Sequence, residues 1–281
     1  MKNLDMHLAA AVSFLLATAS TGSAQVIVDF NSGFTLSTAL NGQSASQPGL
    51  TGSYTSSTSL TPTVISGTDL TNPFALPQTG TPNQVLTGGG AGASTSVAYA
   101  SLSTAFSGTT YFSYLSSTTT GGSGVGGVVG LVFNASGISA TSSGTGSIQL
   151  LTVRGADIRL RPANGATNIT TATLGAGTQF FVGRIDWNTS GVNETFSLWL
   201  NPDTTTNFQA TTPLLSTTTT DFGTSLSSLG FIAYESNARL DNVRFGSSVA
   251  VVAVPEPSSV LLLGIGAVAL ILFRRNCRQT V

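Results

Sequence analysis

The sequence predicts an all-β protein, an antiparallel β-sandwich with a hydrophobic segment at each end of the chain. Short runs of β-branched and aromatic residues recur between clusters of Gly, Asn, Pro and Ser, which is typical of strands joined by turns. No long segment with a 3.6-residue period lies outside the two ends. Phe196, Leu198 and Leu200 alternate with residues that include Trp199, so the first three should line a core face and Trp199 the opposite face.

The body of the chain, residues 26–246, comprises 221 residues, a length that one sandwich commonly reaches. The section 33–93 has five prolines and only brief apolar runs, so it is predicted to be mostly loop. Strands are predicted at 26–30, 63–65, 110–115, 128–133, 148–153, 179–186, 195–200, 231–234 and 239–245.

The first 24 residues are predicted to be a signal peptide. Lys2 supplies a positive charge, 8–19 an apolar segment, and Gly22-Ser23-Ala24 the small residues of a cleavage site before Gln25. The body should therefore be exported by Sec-type machinery.

The other end carries three features in order. Pro255-Glu256-Pro257 precedes an apolar run of 14 residues, 260–273, and the basic pair Arg274-Arg275 follows. At 1.5 Å per residue that run spans about 21 Å, against a hydrocarbon core of about 30 Å. The run is therefore a marginal transmembrane helix, and the arginines place its C-terminus in the cytoplasm.

This tail resembles the PEP-CTERM family of sorting tails, with Pro255, Glu256 and Pro257 as the triplet and Arg274 and Arg275 as the terminal basic pair. The resemblance implies processing by an exosortase in a Gram-negative bacterium. It further implies transient anchoring in the inner membrane, cleavage near the triplet, and release toward an exopolysaccharide-rich matrix. An ordinary C-terminal anchor is the alternative, although an anchor would not need the triplet.

Five segments follow from these features. They are a signal peptide (1–24), a β-sandwich domain (25–246), a linker with the Pro-Glu-Pro motif (247–257), a transmembrane helix (258–273) and a basic cytoplasmic tail (274–281).

Composition excludes several functions for the exported part. His7 and Cys277 are the only histidine and cysteine, so residues 25–257 lack His- or Cys-based catalysis, structural zinc sites and disulfides. In the body, six arginines face nine acidic residues, a net charge of about −3 that lacks the basic footprint of a nucleic-acid binder. Its surface should be rich in Ser and Thr, which suits a hydrated polysaccharide setting and, equally, a neutral soluble β-protein.

Three segments of the body carry a second resemblance. Gly183-Arg184-Ile185-Asp186-Trp187, the run 195–202 and the run 240–246 resemble the last strands of concanavalin A/laminin-G-like sandwiches, which occur on many PEP-CTERM proteins. The resemblance covers about the last 70 residues of the body and implies a concanavalin A-like jelly roll.

Trp187, Trp199 and Tyr234 are the candidate glycan-binding residues, because exposed aromatic rings stack on sugars. For Trp199 the alternative is packing beneath a covering loop. Asp241 is the candidate calcium ligand, and no other cofactor is expected. Regular alternation places Asp241 on the face of Val243 and Phe245, where a structural hydrogen-bonding role is the alternative.

The predicted function is that of a non-enzymatic envelope or matrix protein that binds glycan. The alternative is an extracellular glycan-active hydrolase with an unrecognised carboxylate site. Retaining glycosidases need two carboxyl groups about 5–5.5 Å apart, and the E-x-D-x-x-E pattern of laminarinase-type sandwiches does not occur in the sequence.

Overall fold

A computed structural model of the protein describes residues 25–56, 62–66, 70, 84–88, 96–118, 127–134, 148–153, 157–161, 169–170, 174, 177–188, 193–203, 207–218, 224–234 and 238–252. The predicted signal peptide, the Pro-Glu-Pro triplet, the predicted transmembrane helix and the basic tail lie outside these residues. No helix within the described ranges is long and apolar enough to cross a membrane.

Strands dominate the described part of the chain. In chain order they are β1 (Gln25–Val28), β2 (Thr38–Ala39), β3 (Leu50–Ser56), β4 (Thr63–Ser66), β5 (Gln84–Thr87), β6 (Ser96–Phe106), β7 (Thr109–Thr118), β8 (Val128–Phe133), β9 (Ile148–Val153), β10 (Asp157–Arg161), β11 (Ile169–Thr170), β12 (Gln179–Asp186), β13 (Thr195–Leu200), β14 (Leu215–Thr218), β15 (Leu226–Tyr234) and β16 (Ala238–Gly246). A 3-10 turn spans Phe208–Ala210, and one helical turn, α1 (Val249–Val252), follows β16.

The strands form two sheets. The large sheet has the order β14-β13-β12-β7-β16-β5-β4-β2, with β1 also paired to β16, and the small sheet has the order β11-β10-β9-β8-β15-β6-β3. Every strand pairing among the described residues is antiparallel. The predicted antiparallel all-β sandwich is confirmed.

The main core lies between the inner faces of the two sheets and is rich in phenylalanine. The Phe112 ring of the large sheet lies 5.2 Å, centroid to centroid, from Phe133 of the small sheet. Phe30, just beyond β1, meets Phe231 of β15 edge-on at 5.4 Å. Such offset and edge-on pairs add to the stabilisation that burial alone gives, so aromatic contacts join the two sheets.

The sequence located some strands better than others. The predictions for β8, β9, β12 and β13 match the observed bounds. The loop prediction for 33–93 was wrong for β2, β3 and β5. β3 pairs with β6 through a register shift between Thr51 and Thr55. Tertiary pairing therefore completes a strand in a segment whose strand-favouring Thr and Tyr residues are interrupted by Gly and Ser.

A β-bulge interrupts β16. Its register with β7 shifts between Asp241 and Arg244, and Asn242 has a positive φ of 50°, as bulge residues often do. The extra residue restores Val243 and Phe245 to the core face shared with Leu240. Without the bulge, Leu240 and Val243 would face opposite sides of the sheet.

Candidate functional site: the chain ends and the outer face of the large sheet

The two ends of the described sandwich lie side by side. β1 pairs with β16 in antiparallel register, which places Gln25 opposite Gly246 and Val28 opposite Val243. Val26 and Val28 point into the main core, so burial as well as hydrogen bonding holds β1 in place. The residue predicted to start the mature protein is therefore a neighbour of the residue from which the C-terminal tail leaves.

The segment after β16 folds back onto the large sheet. We call residues 247–252 the C-terminal turn. Its backbone is closed by the Val251 N–H, which donates to the Ser248 carbonyl at 3.1 Å. Val251 and Val252 are buried, the latter completely. Part of the predicted 247–257 linker is thus packed against the domain.

The C-terminal turn belongs to a second apolar cluster, which we call the outer cluster because its strand residues alternate with those of the main core. The Tyr111 hydroxyl, beside this cluster, donates to Gln209 Oε1 at 3.0 Å, which fastens the 3-10 turn over the sheet. The members of the outer cluster are Leu70, Leu115, Phe180, Val182, Trp199, Phe208, Val251 and Val252. The outer face of β7, β12 and β13 is therefore covered here.

Trp199 lies within the outer cluster and is only 6% exposed. Its ring meets Phe208 edge-on, with centroids 5.3 Å apart and planes at 81°. Its indole N–H donates to the Thr211 carbonyl at 3.2 Å. Trp199 therefore packs beneath a covering segment, as the alternative expected, and the expectation that its ring is exposed was wrong.

Trp187 lies in the main core and is 5% exposed. Its indole N–H donates to the Thr110 hydroxyl at 2.8 Å, and its backbone N–H donates to the Gly108 carbonyl. The expectation that the Trp187 ring is exposed was therefore wrong as well, and its role in glycan binding stays a prediction. The remaining candidate, Tyr234, ends β15, and its side chain lies outside the described part of the structure.

Asp241 sits at the bulge rather than on a core-facing position. It is paired in register with Leu115 of the outer cluster, so the prediction that it shares the face of Val243 and Phe245 was wrong. Its Oδ1 accepts the Asn242 backbone N–H at 2.7 Å. This contact gives Asp241 the structural hydrogen-bonding role that the sequence left open.

A buried guanidinium lies close to the bulge that contains Asp241. The buried Arg244 guanidinium donates from Nε to Asn242 Oδ1 at 2.9 Å. Burial lowers the pKa of Arg244, and the nearby Asp29 carboxylate offsets part of that effect. Within the described ranges, no three His, Cys, Asp or Glu residues cluster as metal ligands would.

These features define a β-sandwich whose final strand leads into a packed turn. Residues 253–276 match the family model for the PEP-CTERM protein-sorting motif. The chain therefore carries this motif at its C-terminus, as its triplet and basic pair predicted. The motif implies an exported protein that is anchored transiently in the membrane and processed by an exosortase.

Comparison with solved structures finds lectin and carbohydrate-binding folds. Lectin II from Ulex europaeus is 13% identical, with 66% of this chain and 97% of that chain covered at a TM-score of 0.37. The carbohydrate-binding module CBM66 from Bacillus subtilis is 13% identical, with 64% of this chain and 94% of that chain covered at a TM-score of 0.36. The metal-free carbohydrate recognition domain of Emp46p is 11% identical, with 58% of this chain and 81% of that chain covered at a TM-score of 0.38. Superpositions this loose transfer no residue's role. A search of curated proteins found no matching sequence.

Sequence reasoning missed the C-terminal turn. The run Ser247-Ser248-Val249-Ala250-Val251-Val252 is too short to show a period, so its small polar start favoured a tether. The informative signal was the valine content, because three valines in a solvent-exposed linker would be left without apolar partners.

Proposed function

We propose that the mature protein is a non-enzymatic β-sandwich of the Gram-negative envelope or extracellular matrix, delivered by Sec-type export and exosortase processing. One observation carries the proposal. A sorting motif at residues 253–276 follows a domain whose described residues form two antiparallel sheets. A folded domain and a sorting signal therefore follow one another along the chain.

Exopolysaccharide is the proposed neighbour of the mature domain. Only 7% of the chain is charged, and exposed or half-buried positions of β13 and β14 carry hydroxyls such as those of Ser197 and Ser216. The hydroxyl groups of such a surface can donate hydrogen bonds to sugars and accept them from sugars, and its low charge creates no strong electrostatic field of either sign. Contact through hydroxyl-bearing strands replaces stacking on Trp187 or Trp199, since both rings are buried.

The contacts of Asp186 support the predicted non-enzymatic function over the alternative, a hydrolase. Asp186 Oδ1 lies 2.9 Å from Arg184 Nη2 and accepts the Thr109 hydroxyl at 2.8 Å. One oxygen of this carboxylate, Oδ1, is thus held by neighbouring side chains, as in a structural ion pair. An assay for new reducing ends on the host's own exopolysaccharide tests this point, and turnover abolished by Asp186→Asn would reverse the proposal.

Cys277 provides a direct test of processing. It is the only cysteine and lies within the tail, so a thiol-reactive label marks full-length chains alone. Protein from envelope and medium should remain unlabelled, and its intact mass should lack the segment after about Pro257. A variant with Pro255, Glu256 and Pro257 replaced by alanine is the control and should keep the label. Recovery of the unaltered protein solely as a labelled, membrane-embedded chain would refute the proposed delivery.

A further inference from the structure

We propose that the outer face of the large sheet binds a neutral polysaccharide beside the outer cluster, and that the Arg184–Asp186 ion pair recognises adjacent hydroxyl groups of its sugars. We call this surface the polar patch. Its members are Thr109, Arg184, Asp186, Thr195, Ser197 and Ser216. Binding at the patch rests on the proposed function, in which exopolysaccharide is the neighbour of the mature domain.

The first row of the polar patch crosses three strands. Thr109 of β7 and Thr195 of β13 are the register partners of Asp186 of β12, one on each side. The adjacent residues Ile185 and Phe196 lie in the main core. Because side chains alternate between the two faces of a strand, this row faces outward.

The second row lies two residues away along the strands. Arg184 of β12 is paired with Ser197 of β13, and Ser197 is paired with Ser216 of β14. Ser216 is exposed, and the other two are half-buried. Neighbouring strands are about 4.8 Å apart, and the two rows are about 6.8 Å apart. Polar groups therefore recur at regular intervals, as they do along a polysaccharide.

An ion pair lies at the centre of the polar patch. Arg184 Nε donates to Asp186 Oδ1 at 3.0 Å, and Arg184 Nη2 lies 2.9 Å from the same oxygen. The Thr109 hydroxyl donates to this oxygen at 2.8 Å. The Arg184 and Asp186 side chains are 37% and 35% exposed, so a ligand can reach them. A pair that is already held in place loses little freedom on binding.

The ion pair still has an acceptor and donors to offer. Among the contacts of the described residues, Asp186 Oδ2 accepts no hydrogen bond and Arg184 Nη1 donates none. A sugar hydroxyl can donate to the carboxylate oxygen while its neighbour accepts from the guanidinium, and hydrogen bonds to charged groups are the stronger ones.

The charge of the polar patch selects the class of polysaccharide. The charges of Arg184 and Asp186 cancel, and the other four members carry neutral hydroxyls. Such a surface creates no strong field that would attract a polyanion or a polycation. A neutral polysaccharide with adjacent free hydroxyl groups is therefore the ligand that the patch fits.

Retention of the full chain, in detergent, on exopolysaccharide purified from the producing bacterium tests the patch. Asp186→Asn and Arg184→Gln should each weaken retention about tenfold or more, the effect of losing one hydrogen bond to a charged group. Asp203→Asn removes the same charge as Asp186→Asn, from an exposed site beyond the other end of β13, and should bind as the unaltered chain does. Full retention of folded Asp186→Asn and Arg184→Gln would overturn the inference.

A second pair of variants decides the question if loss of the ion pair prevents folding. Ser216→Glu places a larger, charged side chain at an exposed position of the patch and should weaken retention about tenfold or more. Ser101→Glu adds the same charge at an exposed position of β6, in the small sheet, and should leave retention unchanged. The reverse result would place the binding surface on the small sheet and overturn the inference.

The polysaccharide can be altered as well as the protein. Periodate followed by borohydride opens sugar rings between adjacent hydroxyl groups and adds no charge, so the treated polymer should lose retention of the unaltered chain. Equal retention on both polymers would refute recognition of adjacent hydroxyl groups. Failure of the unaltered chain to bind either polymer would refute exopolysaccharide as its neighbour, whereas binding that no patch variant weakens would refute the patch alone.

Discussion

Gly183 of β12 lies directly opposite Phe112 of β7, and the Phe112 ring fills the space that a side chain at residue 183 would take. The same ring packs against Phe196 and Phe245 of the large sheet and against Phe133 of the small sheet. The missing side chain of one glycine thus lets an aromatic ring sit where the two sheets meet.

Gly183→Ala should destabilise the domain by about 1–3 kcal/mol, because the new methyl group overlaps a ring that is packed on its other sides. Urea unfolding of a protein comprising residues 25–253 would show a lower midpoint with an unchanged slope. Ser197→Ala, on the outer face of the neighbouring strand, should change stability by less than about 0.5 kcal/mol. Equal midpoints for Gly183→Ala and the unaltered protein would contradict this account of the core.

Strands with a strong pattern in their own local sequence could be predicted. Gln179–Asp186 and Thr195–Leu200 were located from the sequence because their bulky residues have high strand propensity, and Thr195–Leu200 also alternates clearly. β6 was missed because Ser96–Phe106 is largely Ser and Ala, which have little intrinsic preference for strands. Pairing with β15 on one side and β3 on the other gives β6 a stability that the segment alone does not reveal.

The candidate site shows a different limit of sequence reasoning. The alternation around Trp199 correctly separated it from Phe196 and Leu198, but no local pattern revealed that Phe208 and the C-terminal turn cover that face. Similarly, the bulge at Asn242 changed the side of the sheet on which Asp241 lies. The covering of a sheet face and the register of a strand depend on contacts between segments that are distant in the sequence. The sorting triplet can instead be recognised from the sequence directly, because its residues are contiguous.

The absence of cysteine between Gln25 and Pro257 leads to a simple prediction. The thermal midpoint of a protein comprising residues 25–253 should be the same with and without reductant, because no disulfide or thiolate metal site contributes to its stability. Scanning calorimetry under both conditions is sufficient. A reductant-dependent midpoint would show that something other than this polypeptide holds the fold.

Trp199→Ala should cost about 3–5 kcal/mol of unfolding free energy, since it removes a large ring from contact with Phe208 and leaves a cavity beneath the 3-10 turn. Trp199→Phe should cost less, because it keeps most of the apolar volume and loses chiefly the hydrogen bond to the Thr211 carbonyl. Chemical unfolding of the two variants would rank these effects.

The same variants test the role of Trp199 in sugar binding. With its ring buried, the folded fraction of Trp199→Ala should be retained on matrix polysaccharide as well as the unaltered protein is. Loss of retention by fully folded Trp199→Phe would instead mean that the indole reaches a ligand, contrary to its observed burial.

Tyr54 should make the protein sensitive to alkali. Burial raises the pKa of its hydroxyl well above the usual value, which is about 10, and the hydroxyl donates to Gln47 Oε1 at 3.0 Å. The unfolded chain therefore loses this proton near pH 10 while the folded chain keeps it. Because the folded pKa is the higher one, the stabilisation is complete below about pH 10 and declines above it, by up to about 1.4 kcal/mol per pH unit.

Tyr54→Phe removes that proton and should flatten the decline. The variant should be less stable at pH 7 by about 0.5–1.5 kcal/mol, the contribution of one hydrogen bond, yet the gap to the unaltered protein should close as the pH rises beyond 10. Urea unfolding between pH 8 and pH 11 would measure both curves. Parallel curves across that range would show that the Tyr54 hydroxyl ionises as readily in the folded protein as in the unfolded chain, which its buried position against Phe34 and Phe231 should prevent.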